Sequence, residues 1–215
     1  MSKHIHNLIQ QGEHQKLDFK YEIADSKKIA RSLVAFANTD GGTLLVGVKD
    51  NGAVAGIRTD EEIYMVEGAA SLFCKPEVSI RTKEWNVNGK KVLEVIVPKS
   101  DSRPHQAPTK DGDYKVFIRV VDQNLLANRI LLKVWKRQDQ GRGVTIRYRE
   151  IEKLLLEYLQ EHKQITFPTF RRIAGISSYK AETILVNFIM LDIVEMVIGE
   201  KETFYKLVTR DEKDV

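Results

Sequence analysis

The sequence predicts an α+β fold, in which a mixed-sheet domain is followed by a small winged helix-turn-helix domain. Three observations support this prediction. Strand-like and helical segments mix without a strict βαβ alternation over residues 1–137. Residues 138–143 contain two glycines and no apolar side chain, which is typical of a linker. Beyond them, three short helices precede two strand-like segments. We therefore predict domains at 1–137 and 148–210, joined by a basic linker at 138–147.

The elements of the first domain follow from capping residues, apolar periodicity and glycine turns. Asp25 or Ser26 can cap a helix whose apolar residues recur at helical spacing. The pairs Asn51-Gly52 and Asn88-Gly89 each predict a tight hairpin. The predicted order is a helix from residue 2 to about 12, a strand at 15–21, a helix from 25 or 26, a strand at 43–48, a helix at 59–73, strands at 78–85, 91–97 and 114–121, and a helix at 128–137.

The elements of the second domain follow from their order and spacing. An apolar stripe that ends at Leu159 marks a first helix, and Pro168 stands at an early, tolerated position of the second. Ser178 ends a turn and can cap the third helix. Residues 194–198 and 203–208 then form a predicted two-stranded ribbon. This order is typical of a winged helix-turn-helix.

The charge of the chain is small in total but unevenly distributed. The formal net charge is +4, with 34 basic and 30 acidic residues. Residues 129–149 alone carry seven basic and one acidic side chain, a net of +6. Such a segment can neutralise phosphates, although a solvated helix face and a solubilising linker would have the same composition.

The sequence also excludes several classes of site. Cys74 is the single cysteine, so an internal disulfide and a tetrahedral thiolate metal site are both excluded. The first residues lack the apolar core of a signal peptide, and no stretch approaches the length of a membrane span. We therefore expect a cytoplasmic protein and no membrane partner.

The most informative segment is residues 36–56, in which two glycine turns flank one apolar strand. The first turn contains Asn38, Thr39 and Asp40 before a Gly-Gly pair, and the second begins at Asp50. Asn38 and Asp40 either orient functional groups or close the turn through backbone hydrogen bonds. Upstream of this segment, Glu13 adds a further carboxylate, and five residues after it comes the run Asp18-Phe19-Lys20.

This pattern resembles the bacterial Schlafen/AlbA-type DNA-binding domain over roughly residues 5–130. The resemblance implies a nucleic-acid partner, DNA or RNA, and a fold with a mixed sheet. Animal Schlafen cores contain two related lobes that embrace RNA, whereas this chain has one, so the resemblance also implies a homodimer.

In Schlafen-type nucleases a carboxylate triad is the active centre. The matching positions are Glu13, Asp18 and Asp50, which would be both the catalytic residues and the ligands of magnesium or manganese. Asp18 departs from the family, which usually has Glu there. In the alternative interpretation, these residues end a helix, pair with Lys20 and form a turn.

A set of cations is expected to contact phosphates, and the third helix of the second domain is expected to read bases or to mediate dimer contacts. The exposed residues predicted for that helix are Tyr179, Lys180, Glu182, Thr183 and Asn187. The predicted phosphate contacts are Lys20, Lys115, Arg119, Lys136, Arg137, Arg142, Arg147, Arg149 and Lys180.

Three functions are consistent with these observations. The first is a nucleic-acid-binding protein of the DNA-binding, transcriptional-regulator type. The second is a metal-dependent endoribonuclease that uses the three carboxylates. The third is a module that binds only protein.

Overall fold

The structure, a computed structural model, describes residues 2–141 and 143–209. The chain divides into two compact units, Met1–Ala127 and Asn128–Val215. This division lies ten residues before the domain end predicted at 137. The reason is that Ile130 and Val134, on the helix that follows the division, are buried in the apolar core of the second unit.

The first unit is built from three helices and eight strands among the described residues. The N-cap of the second helix is Asp25, whose Oδ1 accepts a hydrogen bond from Lys27 N at 2.8 Å. The elements are α1 (Ser2–Gln11), β1 (Leu17–Lys20), α2 (Ser26–Asn38), β2 (Gly42–Val46), α3 (Glu61–Leu72), β3 (Arg81–Val87), β4 (Lys90–Val97), β5 (Ala107–Pro108), β6 (Tyr114–Lys115), β7 (Phe117–Val120) and β8 (Gln123–Leu126).

The main sheet of this unit has the order β1-β2-β4-β3. Strand β1 pairs parallel with β2, while β2 and β3 each pair antiparallel with β4. The sheet is therefore mixed, and the α+β class predicted from the sequence is confirmed. The predicted strand at 114–121 is instead two short strands, because β6 pairs with β5 while β7 pairs with β8.

The polar turn after α2 is held by one buried amide. Asn38 is fully buried, and its Nδ2 donates to the carbonyls of His105 at 2.9 Å and Phe117 at 2.8 Å. Its Oδ1 accepts from His105 N at 2.8 Å. Gly41 follows with φ +69°, and a Cβ there would lie 2.8 Å from both Lys99 N and Val97 O. Asn38 thus closes the turn through hydrogen bonds to the backbone, which is the structural one of the two roles predicted for it.

A buried arginine joins the edge strand β1 to β7. Arg119 Nη2 lies 3.2 Å from Asp18 Oδ1 and 3.3 Å from the carbonyl of Leu17. The Arg119 side chain is 1% exposed and that of Asp18 is 4% exposed. The backbone N of Arg119 donates to Thr39 Oγ1 at 3.0 Å, and its carbonyl accepts from Gln15 Nε2 at 2.9 Å. This single residue therefore connects β1, β7 and the turn after α2.

The second unit begins with a helix that packs against the last helix described in the same unit. Its core contains Leu155, Leu159, Phe170, Leu185 and Tyr205. The elements are α4 (Arg129–Asp139), α5 (Glu150–His162), β9 (Gln164–Thr166), α6 (Phe167–Ala174), α7 (Ser178–Met190), β10 (Val194–Ile198) and β11 (Thr203–Leu207), with a sheet of order β10-β11-β9. Strand β9 was not predicted, because three residues are too few for a periodic signal. Within the described ranges, no helix combines the length and apolar character needed to cross a bilayer.

We predict that Arg119→Met destabilises the first unit. The substitution keeps an apolar stem but leaves the buried Asp18 carboxylate without its buried partner, so the free energy of unfolding should fall by about 3 to 5 kcal/mol. Urea denaturation followed by circular dichroism measures this loss. Lys115→Met is the matched control, because the Lys115 side chain is 53% exposed and its pairing with Asp113 is loose at 3.9 Å. A loss below about 1 kcal/mol for Arg119→Met would contradict the structural role of the pair.

Candidate functional site

The three carboxylates predicted as a site occupy different environments. Asp18 lies in the buried strand β1, and Glu13 lies just before it in the chain. Glu13 Oε1 accepts a hydrogen bond from the backbone N of Phe19 at 2.8 Å, which folds the Glu13 side chain back over β1. Asp50 is exposed in the turn between β2 and α3, where Lys49 N bonds to Ala53 O at 3.0 Å. The structure thus brings Glu13 and Asp18 together.

Asp18 is already neutralised by two cations of the protein. Its Oδ1 faces Arg119 Nη2 at 3.2 Å, and its Oδ2 faces Lys20 Nζ at 2.9 Å. Lys20 Nζ also donates to the carbonyl of Phe19 at 2.7 Å. Both carboxylate oxygens therefore have positively charged neighbours, and the pair with Arg119 is buried, where charge pairs are strongest.

In contrast to Asp18, whose carboxylate faces two cations, Glu13 lies where its negative charge is disfavoured. Burial raises the pKa of its carboxyl above the ordinary 4.5, and hydrogen bonding to the Asp18 carboxylate raises it further. The hydrogen bond from Phe19 N and the charge of Lys20 act against these effects without cancelling them. The ionised form of Glu13 is therefore disfavoured in the folded protein.

The arrangement does not fit a magnesium or manganese ion. Hard cations take several carboxylate or carbonyl oxygens that are free to coordinate. Arg119 and Lys20 instead take up the oxygens of Asp18. Across residues 2–141 and 143–209, no group of three or more His, Cys, Asp or Glu side chains is arranged to hold a metal ion. The metal-ligating and catalytic roles that the resemblance implies for Glu13, Asp18 and Asp50 stay predictions.

Some of the side chains predicted to contact phosphates are exposed, and others are buried or half-buried. Arg119, expected on the surface, is instead buried in its pair with Asp18 and cannot reach a phosphate. Lys20 is half-buried and also pairs with Asp18, while Arg137 of α4 is half-buried. Arg142 lies outside the described residues. The exposed members are Lys115, Lys136, Arg147, Arg149 and Lys180.

Helix α4 covers one face of α7, which was predicted to read bases. Lys133 Nζ of α4 pairs with Glu182 Oε2 of α7, and Arg137 Nη1 donates to Asn187 Oδ1. Glu182, expected to be exposed, is therefore buried at 8% exposure. The sequence prediction missed this because amphipathic spacing shows that a face is polar but not which helix pairs with it.

A cluster of one aromatic ring and two cations was not predicted. Tyr21, directly after β1, is 39% exposed. Lys49 Nζ lies 5.3 Å and Arg58 Cζ 5.7 Å from the centroid of its ring. These residues are far apart in sequence, so no local motif could have indicated the cluster.

A family model and two solved structures are similar to parts of this chain. A family model described as Schlafen, AlbA_2 matches residues 13–128. The DIP2311 protein from Corynebacterium diphtheriae is 21% identical with a TM-score of 0.45, and the match covers 71% of this chain and 36% of that one. This chain thus spans about a third of the DIP2311 length. The N-terminal domain of an ATP-dependent DNA helicase RecG-related protein from Nitrosomonas europaea is 21% identical with a TM-score of 0.38, covering 58% of this chain and 95% of that domain.

We predict that Glu13→Gln stabilises the protein increasingly as the pH rises above 4.5. A carboxyl whose pKa is raised on folding is favourable while protonated and loses that stability as it ionises, so wild-type Glu13 costs stability at neutral pH. Glutamine keeps the acceptor for Phe19 N and removes the charge beside Asp18. Urea denaturation at pH 4 and pH 7 measures the difference between the two proteins. The same difference at both pH values would show that Glu13 ionises normally.

Proposed function

The chain belongs to the Schlafen AlbA_2 family, and from that membership we propose that it is a nucleic-acid-binding protein of the DNA-binding, transcriptional-regulator type. The family supports a nucleic-acid-related function. The observation that carries the proposal is the cluster of cations at residues 129–149, which has a net charge of +6. Three of them, Lys136, Arg147 and Arg149, are exposed and thus free to approach a phosphate backbone.

The order of elements in the second unit supports a winged helix-turn-helix. Helix α5, strand β9, helices α6 and α7, and the ribbon β10-β11 follow one another as three helices and a small antiparallel sheet. In that interpretation α7 is the recognition helix, whose N-terminal residues contact base edges. Tyr179 and Lys180 of its first turn are exposed. Because α4 covers Glu182, base contacts would come from this first turn.

The carboxylate geometry favours binding over hydrolysis. Metal-dependent hydrolysis needs carboxylates that hold the ion against the phosphodiester. Asp18 is paired with Arg119 and Lys20, so its two oxygens are not free to hold an ion. Thiolate chemistry is equally disfavoured, because burial raises the pKa of Cys74 to about 12.

We predict that the triple variant Lys136→Ala, Arg147→Ala, Arg149→Ala weakens DNA binding and its salt dependence. Each lost phosphate contact should lower the slope of log K against log salt by about 0.9, so up to about 3 in total. Fluorescence anisotropy with a mixed-sequence DNA duplex measures this between about 50 and 200 mM salt. The control variant Lys3→Ala, Lys110→Ala, Lys153→Ala removes the same charge from three other exposed positions. Equal losses in both variants would show that only net charge matters.

We also propose a homodimer, which would supply the second lobe that the family resemblance implies. Size-exclusion chromatography with light scattering should then give twice the chain mass of 24.6 kDa. A single-chain mass at high protein concentration would contradict this proposal.

A further inference from the structure

The surface around Tyr21 is formed by the ends of two parallel strands. Lys20 ends β1 and pairs in register with Val46, which ends β2. The carbonyl of Lys20 then accepts hydrogen bonds from Gly47 N at 2.8 Å and Val48 N at 3.3 Å. Tyr21 and Lys49 therefore leave the sheet at the same edge. The carboxyl ends of neighbouring parallel strands are a recurrent place for ligands, because loops diverge there and leave a crevice.

A third loop adds Arg58 to this edge. Gly47 has φ +92° and lies so close to Gly56 that a Cβ on it would be 2.8 Å from the backbone carbon of Gly56. This close approach brings the chain after the hairpin back to β1. Arg58 Nη2 then donates to the Tyr21 hydroxyl at 3.1 Å and lies 3.2 Å from Glu22 Oε2. The contact to the hydroxyl fixes Arg58 at the rim of the ring.

The cluster combines the two features that single-stranded nucleic acids require. One is a partly exposed aromatic ring, and the other is a set of cations beside it. The Arg58 side chain is 68% exposed and Lys49 is exposed, so both cations are accessible to phosphates. Glu22 offsets part of the Arg58 charge, which leaves Lys49 as the stronger phosphate partner.

We propose that Tyr21, Lys49 and Arg58 form a stacking subsite for one base of a single-stranded nucleic acid. The Tyr21 ring supports the base, while Lys49 and Arg58 contact the flanking phosphates. A duplex keeps its base faces stacked inside and cannot present one to Tyr21, so the subsite selects unpaired strands. This inference rests on the proposed nucleic-acid function and adds the class of strand that the first unit accepts.

The test is fluorescence anisotropy of the full chain with labelled single-stranded DNA and RNA of one mixed sequence, and with the DNA duplex. Tyr21→Ala should weaken binding of the preferred single strand about tenfold and leave duplex binding within about twofold, since stacking on one aromatic contributes to that extent. Tyr21→Phe keeps the ring and should stay within about threefold of the wild type. Tyr64→Ala is the matched control, because Tyr64 is a 70% exposed tyrosine on α3 of the same unit. Lys49→Ala should lower the single-strand salt slope by about 0.7, whereas Tyr21→Ala should leave it unchanged.

The outcomes separate this inference from the proposed function. A wild-type chain that binds nucleic acid, combined with a Tyr21→Ala variant that is unaffected or loses single-strand and duplex binding equally, overturns the subsite alone. A Tyr64→Ala loss as large as that of Tyr21→Ala does the same. A wild-type chain that binds none of the three probes overturns the proposed function and the subsite with it.

Discussion

The buried pairing of Arg119 with Asp18 is the constraint around which the first unit is organised. A guanidinium that is 1% exposed is stable only where its surroundings offset its loss of hydration, and here a carboxylate and the carbonyl of Leu17 lie beside it. The backbone of Arg119 also bonds to Thr39 and Gln15. One residue thus fixes the edge strand of the sheet against the glycine turn. That turn also depends on Asn38, whose side-chain amide makes three hydrogen bonds to backbone groups.

This constraint has a consequence for the chemistry of the unit. The Asp18 carboxylate is poorly placed to bind a hard cation, because coordination would bring a third cation to oxygens that already face Arg119 and Lys20. Burial and the hydrogen bond to Asp18 meanwhile raise the pKa of Glu13. Asp18 therefore contributes to the folding of the first unit through its pair with Arg119.

The sequence predicted most elements but not the partners of polar side chains. Helix α2 and the hairpin at Asn51 follow from capping and turn chemistry, which are local and act wherever the residues occur. The burial of Arg119 could not be predicted, because its partner Asp18 is distant in sequence, and Arg119 was instead expected to contact a phosphate. The pairing of Lys133 with Glu182 and the cluster at Tyr21 could not be predicted for the same reason. Periodicity predicts on which face of a helix or strand a residue lies, whereas only the tertiary structure shows which residues it contacts.

The charge distribution further limits how a polyanion can approach the second unit. Residues 129–149 carry +6, but residues 150–215 carry nine basic and twelve acidic side chains, a net of −3. A uniformly basic surface would attract nucleic acid in any orientation, whereas opposite charges on neighbouring segments favour one. Salt screens this preference over a Debye length of about 8 Å at physiological ionic strength, so the orienting effect is local to the cations. The exposed Lys180 at the start of α7 is a cation within the acidic segment. A strand guided by residues 129–149 would thus meet favourable charge on α7 only near its first turn, where Tyr179 and Lys180 are exposed.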